Sequence, residues 1–201
     1  MIVPFSLKQT SEGIFYIHDY VPVRSFSHSS DAEVSFSREL WDYKKIEAGA
    51  LEKYTNELMW AIAQLSFHIS DSKIGLVAVP PSKVGKDSAI RTSIWNIKNW
   101  FDQGITQSVF KCDKQVYDYS LLLTRESDVA TSHESRVRAT YEDVMGSISC
   151  TRDRLWRYRT TFIILDDVTT LGTSMEACKD ILIQNGADAN HIIRLAIAKT
   201  K

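Results

Sequence analysis

The chain has 201 residues, 44% of them hydrophobic and 24% charged, with a formal net charge of −1. That balance suits one folded α/β domain of ordinary size and excludes a disordered chain. Near-neutrality also excludes a protein that holds nucleic acid by overall positive charge. A local basic face stays open, because Arg136, Arg138, Arg152, Arg154, Arg157 and Arg159 lie close together in sequence. Cys112, Cys150 and Cys178 are odd in number, far apart and without metal-ligand spacing. They point to a reduced, cytoplasmic compartment. The first ten residues lack a charged-then-apolar signal pattern, and no apolar run approaches the roughly 20 residues that span a bilayer. No membrane partner is expected.

Residues 14–24 are rich in β-branched and aromatic types and predict one or two strands. Residues 25–32 are polar and turn-like. A helix is expected over roughly 46–69, where Leu51, Tyr54, Leu58, Ala61, Ile62 and Leu65 recur at three- and four-residue spacing. The apolar run 74–79 suits a central parallel strand, and Pro80-Pro81 stops it. Residues 87–102 read as a helix with Ile90, Ile94, Ile97 and Phe101 on one stripe. A strand is expected over 117–123, then a long polar loop with one helical turn over 125–146. A strand over 160–165, a helix over 173–185 and a last strand over 191–198 complete the pattern. The alternation predicts an α/β fold with a parallel twisted sheet flanked by helices. Ligands in such sheets bind beyond the carboxyl ends of the strands, here after Val79, Leu123 and Leu165.

The third of these ends carries the most chemistry. After Leu165 the chain reads Asp166-Asp167-Val168-Thr169-Thr170-Leu171-Gly172-Thr173-Ser174. Two carboxylates leave a buried strand, small hydroxyl residues and a glycine follow, and a helix begins. Thr173 and Glu176 have capping-box spacing. Backbone amides at a helix start suit a phosphate. Gly172 allows close approach. Acceptor-only carboxylates suit ribose hydroxyls or water on Mg²⁺. Alone, an aspartate pair more often caps a helix or sits solvated; the thirteen-residue context carries the functional reading.

This segment resembles the signature of the type I phosphoribosyltransferases, nearest to ComF-type and amidophosphoribosyltransferase-like proteins. The resemblance covers about residues 74–200. It implies binding of 5-phosphoribosyl-1-pyrophosphate (PRPP) with Mg²⁺ as cofactor, and transfer of phosphoribose to a nitrogenous acceptor. It implies a core domain over 45–201 under a small N-terminal hood over 1–44. Asp166 and Asp167 would hold the ribose hydroxyls and, through water or those hydroxyls, the metal. Thr169, Thr170, Gly172, Thr173 and Ser174 would cradle the 5′-phosphate. The loop with Pro81, Ser82 and Lys83 would wrap the pyrophosphate, with Lys86 near it and a cis bond feasible at Pro81. Residues 123–148 resemble the family's flexible catalytic loop, with Arg136 as a catalytic residue and Arg125, Arg138 and His133 meeting phosphate charge. Tyr16, Tyr20, Phe26 and Trp41 would either stack on a base or form the hood's core.

The signature departs from the family at two places. Leu171 stands where a Thr or Ser usually offers a hydroxyl, a loss of about 1 kcal/mol. Thr170 stands where purine-base members carry an Asp, and it cannot act as a general base at neutral pH. Purine salvage is therefore disfavoured. The alternative is a non-catalytic PRPP- or nucleotide-sensing regulatory module of ComF type, linked by family analogy to DNA uptake or processing. A homodimer is compatible with either reading. A receiver-like phosphoacceptor is a third, weaker reading, since one strand alone follows the acidic pair.

Overall fold

The computed structural model describes residues 6–22, 30–105, 114–129, 139–152 and 159–201. Its strands are β1 (Lys8–Gln9), β2 (Ile14–Tyr20), β3 (Lys73–Ala78), β4 (Gln115–Asp118), β5 (Leu123–Arg125), β6 (Ile148–Cys150), β7 (Thr161–Thr169) and β8 (Ile192–Thr200). Its helices are α1 (Asp31–Lys44), α2 (Ala48–Ser66), α3 (Ala89–Asp102), α4 (Tyr141–Gly146) and α5 (Thr173–Gln184). The main sheet has the order β1-β2-β8-β7-β3-β4. Every neighbouring pair is parallel except β1–β2. This is an α/β fold with a mostly parallel sheet between helices.

Strand alternation divides the core in two. Leu76, Ile163, Leu165, Leu195 and Ile197 pack with Leu40, Tyr43, Tyr54, Leu58, Ile62, Ile94 and Ile97, so α1, α2 and α3 cover one face. Val77, Ile164 and Ala196 pack with Val144, Met175, Cys178 and Leu182, so α4 and α5 cover the other. The central strands are apolar on both sides, as coverage on both faces requires. At Gly75 a Cβ would lie 2.6 Å from the Tyr119 ring and 3.0 Å from the Phe162 ring. The missing side chain therefore lets Tyr119 lie on the strand.

Several expectations change. Helix α1 falls in the segment assigned to the hood, and the sequence reading did not anticipate it. Ser30 and Glu33 close a capping box at its start, and Ser37, Leu40 and Tyr43 form its buried stripe. The 1–44 segment also contributes β1 and β2 to the main sheet, with Ile14 to Tyr20 running parallel to β8.

The strand expected over 117–123 is two strands. The Asp118 carboxylate accepts from the Ser120 amide at 2.8 Å, and Leu122 N donates to Tyr119 O at 2.9 Å. This turn ends β4 and releases β5 into a separate antiparallel pair with β6. Strand β7 also runs four residues past its expected end. Register with β8 continues through Asp166↔Ala196, Val168↔Ala198 and Thr169↔Lys199, so the aspartates stand on the strand and not in the turn.

Candidate functional site

A cleft of about 900 Å³ opens at the carboxyl ends of β3 and β7. Its floor carries Asp166 and Asp167, one wall carries Thr173 and Ser174 of α5, and another carries Pro81, Ser82, Lys83 and Lys86. Tyr20, Trp41 and Lys44 border it on the α1 side. Asp166, Asp167, Thr173, Ser174, Pro81, Ser82, Lys83 and Arg125 therefore meet where open parallel sheets bind ligands.

Successive residues of a strand point to opposite faces, and the two aspartates follow that rule. Asp167 faces α1, where its Oδ1 lies 3.1 Å from Lys44 Nζ. Asp166 faces α5: its charge reaches the buried Cys178 thiol, and its Oδ1 accepts from the Asp167 amide at 2.9 Å. Burial, with the adjacent Asp167 carboxylate second, pushes the Asp166 carboxyl up to about 8. Lys44 and the Asp167 amide act in the opposite direction and are outweighed. Lys44 is partly exposed; loss of hydration beside the sheet opposes its charge, but the two carboxylates prevail and raise its pKa. Burial pushes the Cys178 thiol up, which leaves it an inert core residue.

The start of α5 has the expected place and a different cap. Gly172 is the N-cap, at φ +76°, and no side chain caps the helix. The Thr173–Glu176 box does not form: Glu176 pairs with Arg194, and its Oε1 lies 3.0 Å from Lys179 Nζ. The first-turn amides stay uncapped beside Thr173 and Ser174, the arrangement that attracts an anion. A Cβ on Gly172 would lie 2.5 Å from Ile14 Cδ1, so the turn rests directly on β2. Thr169 is buried, Thr170 meets Thr200 hydroxyl to hydroxyl at 3.1 Å, and Leu171 is exposed. Thr169, Thr170 and Gly172 therefore shape the turn from outside the cleft lining.

The 80–88 loop is held from below. Arg125 is buried; its Nε donates to Pro81 O at 2.9 Å, one terminal nitrogen donates to Pro80 O at 3.2 Å, and the other reaches Ser147 Oγ. Its fork meets backbone and hydroxyl acceptors, so Arg125 works as a strut under the loop while its side chain also lines the cleft. Val84 N donates to the Asp128 carboxylate at 2.8 Å, and Val129 N donates to Ser82 O at 2.9 Å. The described residues contain no cis peptide bond, so Pro81 is trans. Arg136, Arg138, His133 and Phe26 lie outside the described residues.

Lys44 was absent from the sequence-derived site. A lysine in the last turn of a helix ordinarily reads as a partner of the helix dipole, and its reach toward Asp167 depends on tertiary placement. That placement is fixed by buried hydroxyls: Tyr43 Oη lies 3.0 Å and Thr55 Oγ1 2.7 Å from Ser93 Oγ, which ties α1 and α2 to α3.

Among the described residues, no three His, Cys, Asp or Glu side chains cluster as a metal-ligand group. The hard oxygens of Asp166 and Asp167 suit Mg²⁺ when a phosphorylated ligand supplies further oxygens. No described helix is long and apolar enough to cross a membrane. No protein-family model matches the chain, and no curated protein matches it. Fold and cleft together define an α/β protein with an acidic floor, an uncapped helix start and a lysine-bearing loop around one crevice.

Proposed function

We propose that the protein is of the phosphoribosyltransferase type, binding PRPP with Mg²⁺ and transferring phosphoribose to a nitrogen nucleophile. The observation that carries this reading is the convergence of three groups in one cleft. These are the aspartate pair, the uncapped start of α5, and the Pro81–Lys83 loop. The amides of α5 with Thr173 and Ser174 receive the 5′-phosphate. Asp166 and Asp167 grip the ribose hydroxyls, and a protonated Asp166 donates to one of them. The 80–88 loop with Lys83 and Lys86 receives the pyrophosphate. Helix α1, with Trp41 and Lys44, serves as the hood.

In the transfer, the acceptor nitrogen forms a bond to ribose C1. The C1–oxygen bond breaks, its electron pair leaves on pyrophosphate, and the nitrogen's proton passes to water. Mg²⁺ brought with PRPP supplies charge stabilisation for the leaving group. The residues of the chain orient the sugar and hold the Asp167 carboxylate near its developing positive charge.

The test is incubation with PRPP, Mg²⁺ and a panel of bases and amines, reading released pyrophosphate. Release with at least one acceptor supports the enzyme. PRPP binding without turnover supports instead a PRPP-sensing module of ComF type. Two observations favour that second reading: the Arg125 fork is spent on the loop, and Lys44 already holds Asp167. Absence of PRPP binding at any Mg²⁺ concentration refutes both.

A further inference from the structure

The carboxylate pair on the cleft floor already has a cation. Lys44 Nζ stands 3.1 Å from Asp167 Oδ1, and among the described residues this is its one ion pair. The lysine belongs to the last turn of α1, whose backbone is anchored by Tyr43, Ser93 and Thr55. Its helix is therefore fixed while its four-carbon stem can turn. An ammonium and a hydrated divalent cation are both drawn to the same hard oxygens.

We infer that Lys44 is the resident counter-ion of the aspartate pair and sets the divalent-cation requirement of ligand binding. With no metal present, the ammonium neutralises Asp167. When a divalent cation arrives with a phosphorylated ligand, Lys44 must leave Asp167. The cleft offers it a new partner at that moment, because the ligand's phosphate oxygens enter the same space that Lys44 lines. The lysine thus opposes an ion that comes alone and is compensated when the ion comes with an anionic ligand. This selects the metal–phosphate complex over free metal. It rests on the reading of the cleft as a sugar-phosphate site.

The experiment compares wild type, Lys44→Met and Lys44→Arg. Mn²⁺ binding is measured by electron paramagnetic resonance without ligand, and PRPP binding is titrated at graded Mg²⁺. Lys44→Met should tighten ligand-free Mn²⁺ binding by roughly tenfold, as expected on removing one opposed charge at contact distance, and should lower the Mg²⁺ needed for half-maximal PRPP binding by a smaller factor, because in wild type the phosphate compensates the displaced lysine. Lys44→Arg, which keeps the charge, should stay near wild type and serves as the folded control. In an Asp167→Asn background the Lys44 substitution should lose its effect, which closes the cycle on this pair.

An unchanged or increased Mg²⁺ requirement in Lys44→Met overturns the inference. If Mn²⁺ binding tightens in Lys44→Met but no protein binds PRPP, the counter-ion role stands and the sugar-phosphate reading falls. If PRPP binds with the same Mg²⁺ dependence in all three, the counter-ion role alone falls. No Mn²⁺ binding by any variant, with no PRPP binding, overturns both.

Discussion

Replacing Arg125 by Met separates a strut from a ligand contact. Met keeps most of the side chain's length and apolar packing and removes three donor contacts: to Pro81 O, to Pro80 O and to Ser147 Oγ. Hydrogen bonds from a charged donor contribute about 1.5–3 kcal/mol each, which sets an upper bound. Three effects reduce it. Taking a guanidinium out of water is itself costly, so its removal returns part of the loss. The two proline carbonyls border an open cleft, where water can hydrate them. Ser147 Oγ keeps a bond to Val144 O at 2.7 Å. A net loss of about 2–4 kcal/mol follows, which in a chain of this length lowers Tm by roughly 4–16 °C. Urea unfolding should show a lower midpoint at unchanged slope. PRPP affinity should fall as well, because the 80–88 loop loses its support. A strut predicts that both losses appear together. Weakened PRPP binding at full stability would refute the reasoning and return Arg125 to the role of a direct phosphate contact.

Two further predictions concern the phosphate turn and the cleft floor. Gly172→Ala places a Cβ at positive φ and 2.5 Å from the end of Ile14, so stability should fall by about 1–3 kcal/mol in urea unfolding, with a parallel loss of ribose 5-phosphate affinity by calorimetry. Asp166 has a folded pKa raised to about 8, so between the ordinary carboxylate pKa and 8 the unfolded chain releases its proton first. Stability should therefore decline as pH rises through that window. Asp166→Asn should flatten the decline and raise the urea midpoint at pH 8 relative to wild type, and a wild-type slope in the variant would contradict the assignment.

Much of the core was legible because its residues are constrained by burial alone. The 3.6-residue stripe of α2, the apolar run of β3 and the stripe of α3 each bury a continuous face, and each lies within a few residues of its expected place. The place of the aspartates was legible, because the apolar run before them and the glycine-bearing hydroxyl turn after them mark where a buried strand gives way to α5. What was misread depended on partners far away in sequence. The end of β7 is set by β8, which carries its pairing past the aspartates to Thr169. The capping box at Thr173 had the right spacing, but Arg194 of β8 draws Glu176 away. Arg125 does reach the cleft, and only the fold shows that two proline carbonyls lie within its reach. Helix α1 was readable in principle from Ser30, Glu33 and its buried stripe. The neighbouring aromatic and polar residues masked it.

The resting place of the phosphate turn has a consequence for how the protein is made. Gly172 sits on Ile14, and Ile14 pairs with Arg194, almost the whole chain away. Strand β2 leaves the ribosome well before its parallel partner β8. Until then one of its edges is unpaired, and an exposed strand edge invites association. The aspartates, α5 and the proline loop can all be translated before the cleft has its foundation. Ligand-binding competence should therefore appear all at once, when β8 has been made and docks between β7 and β2.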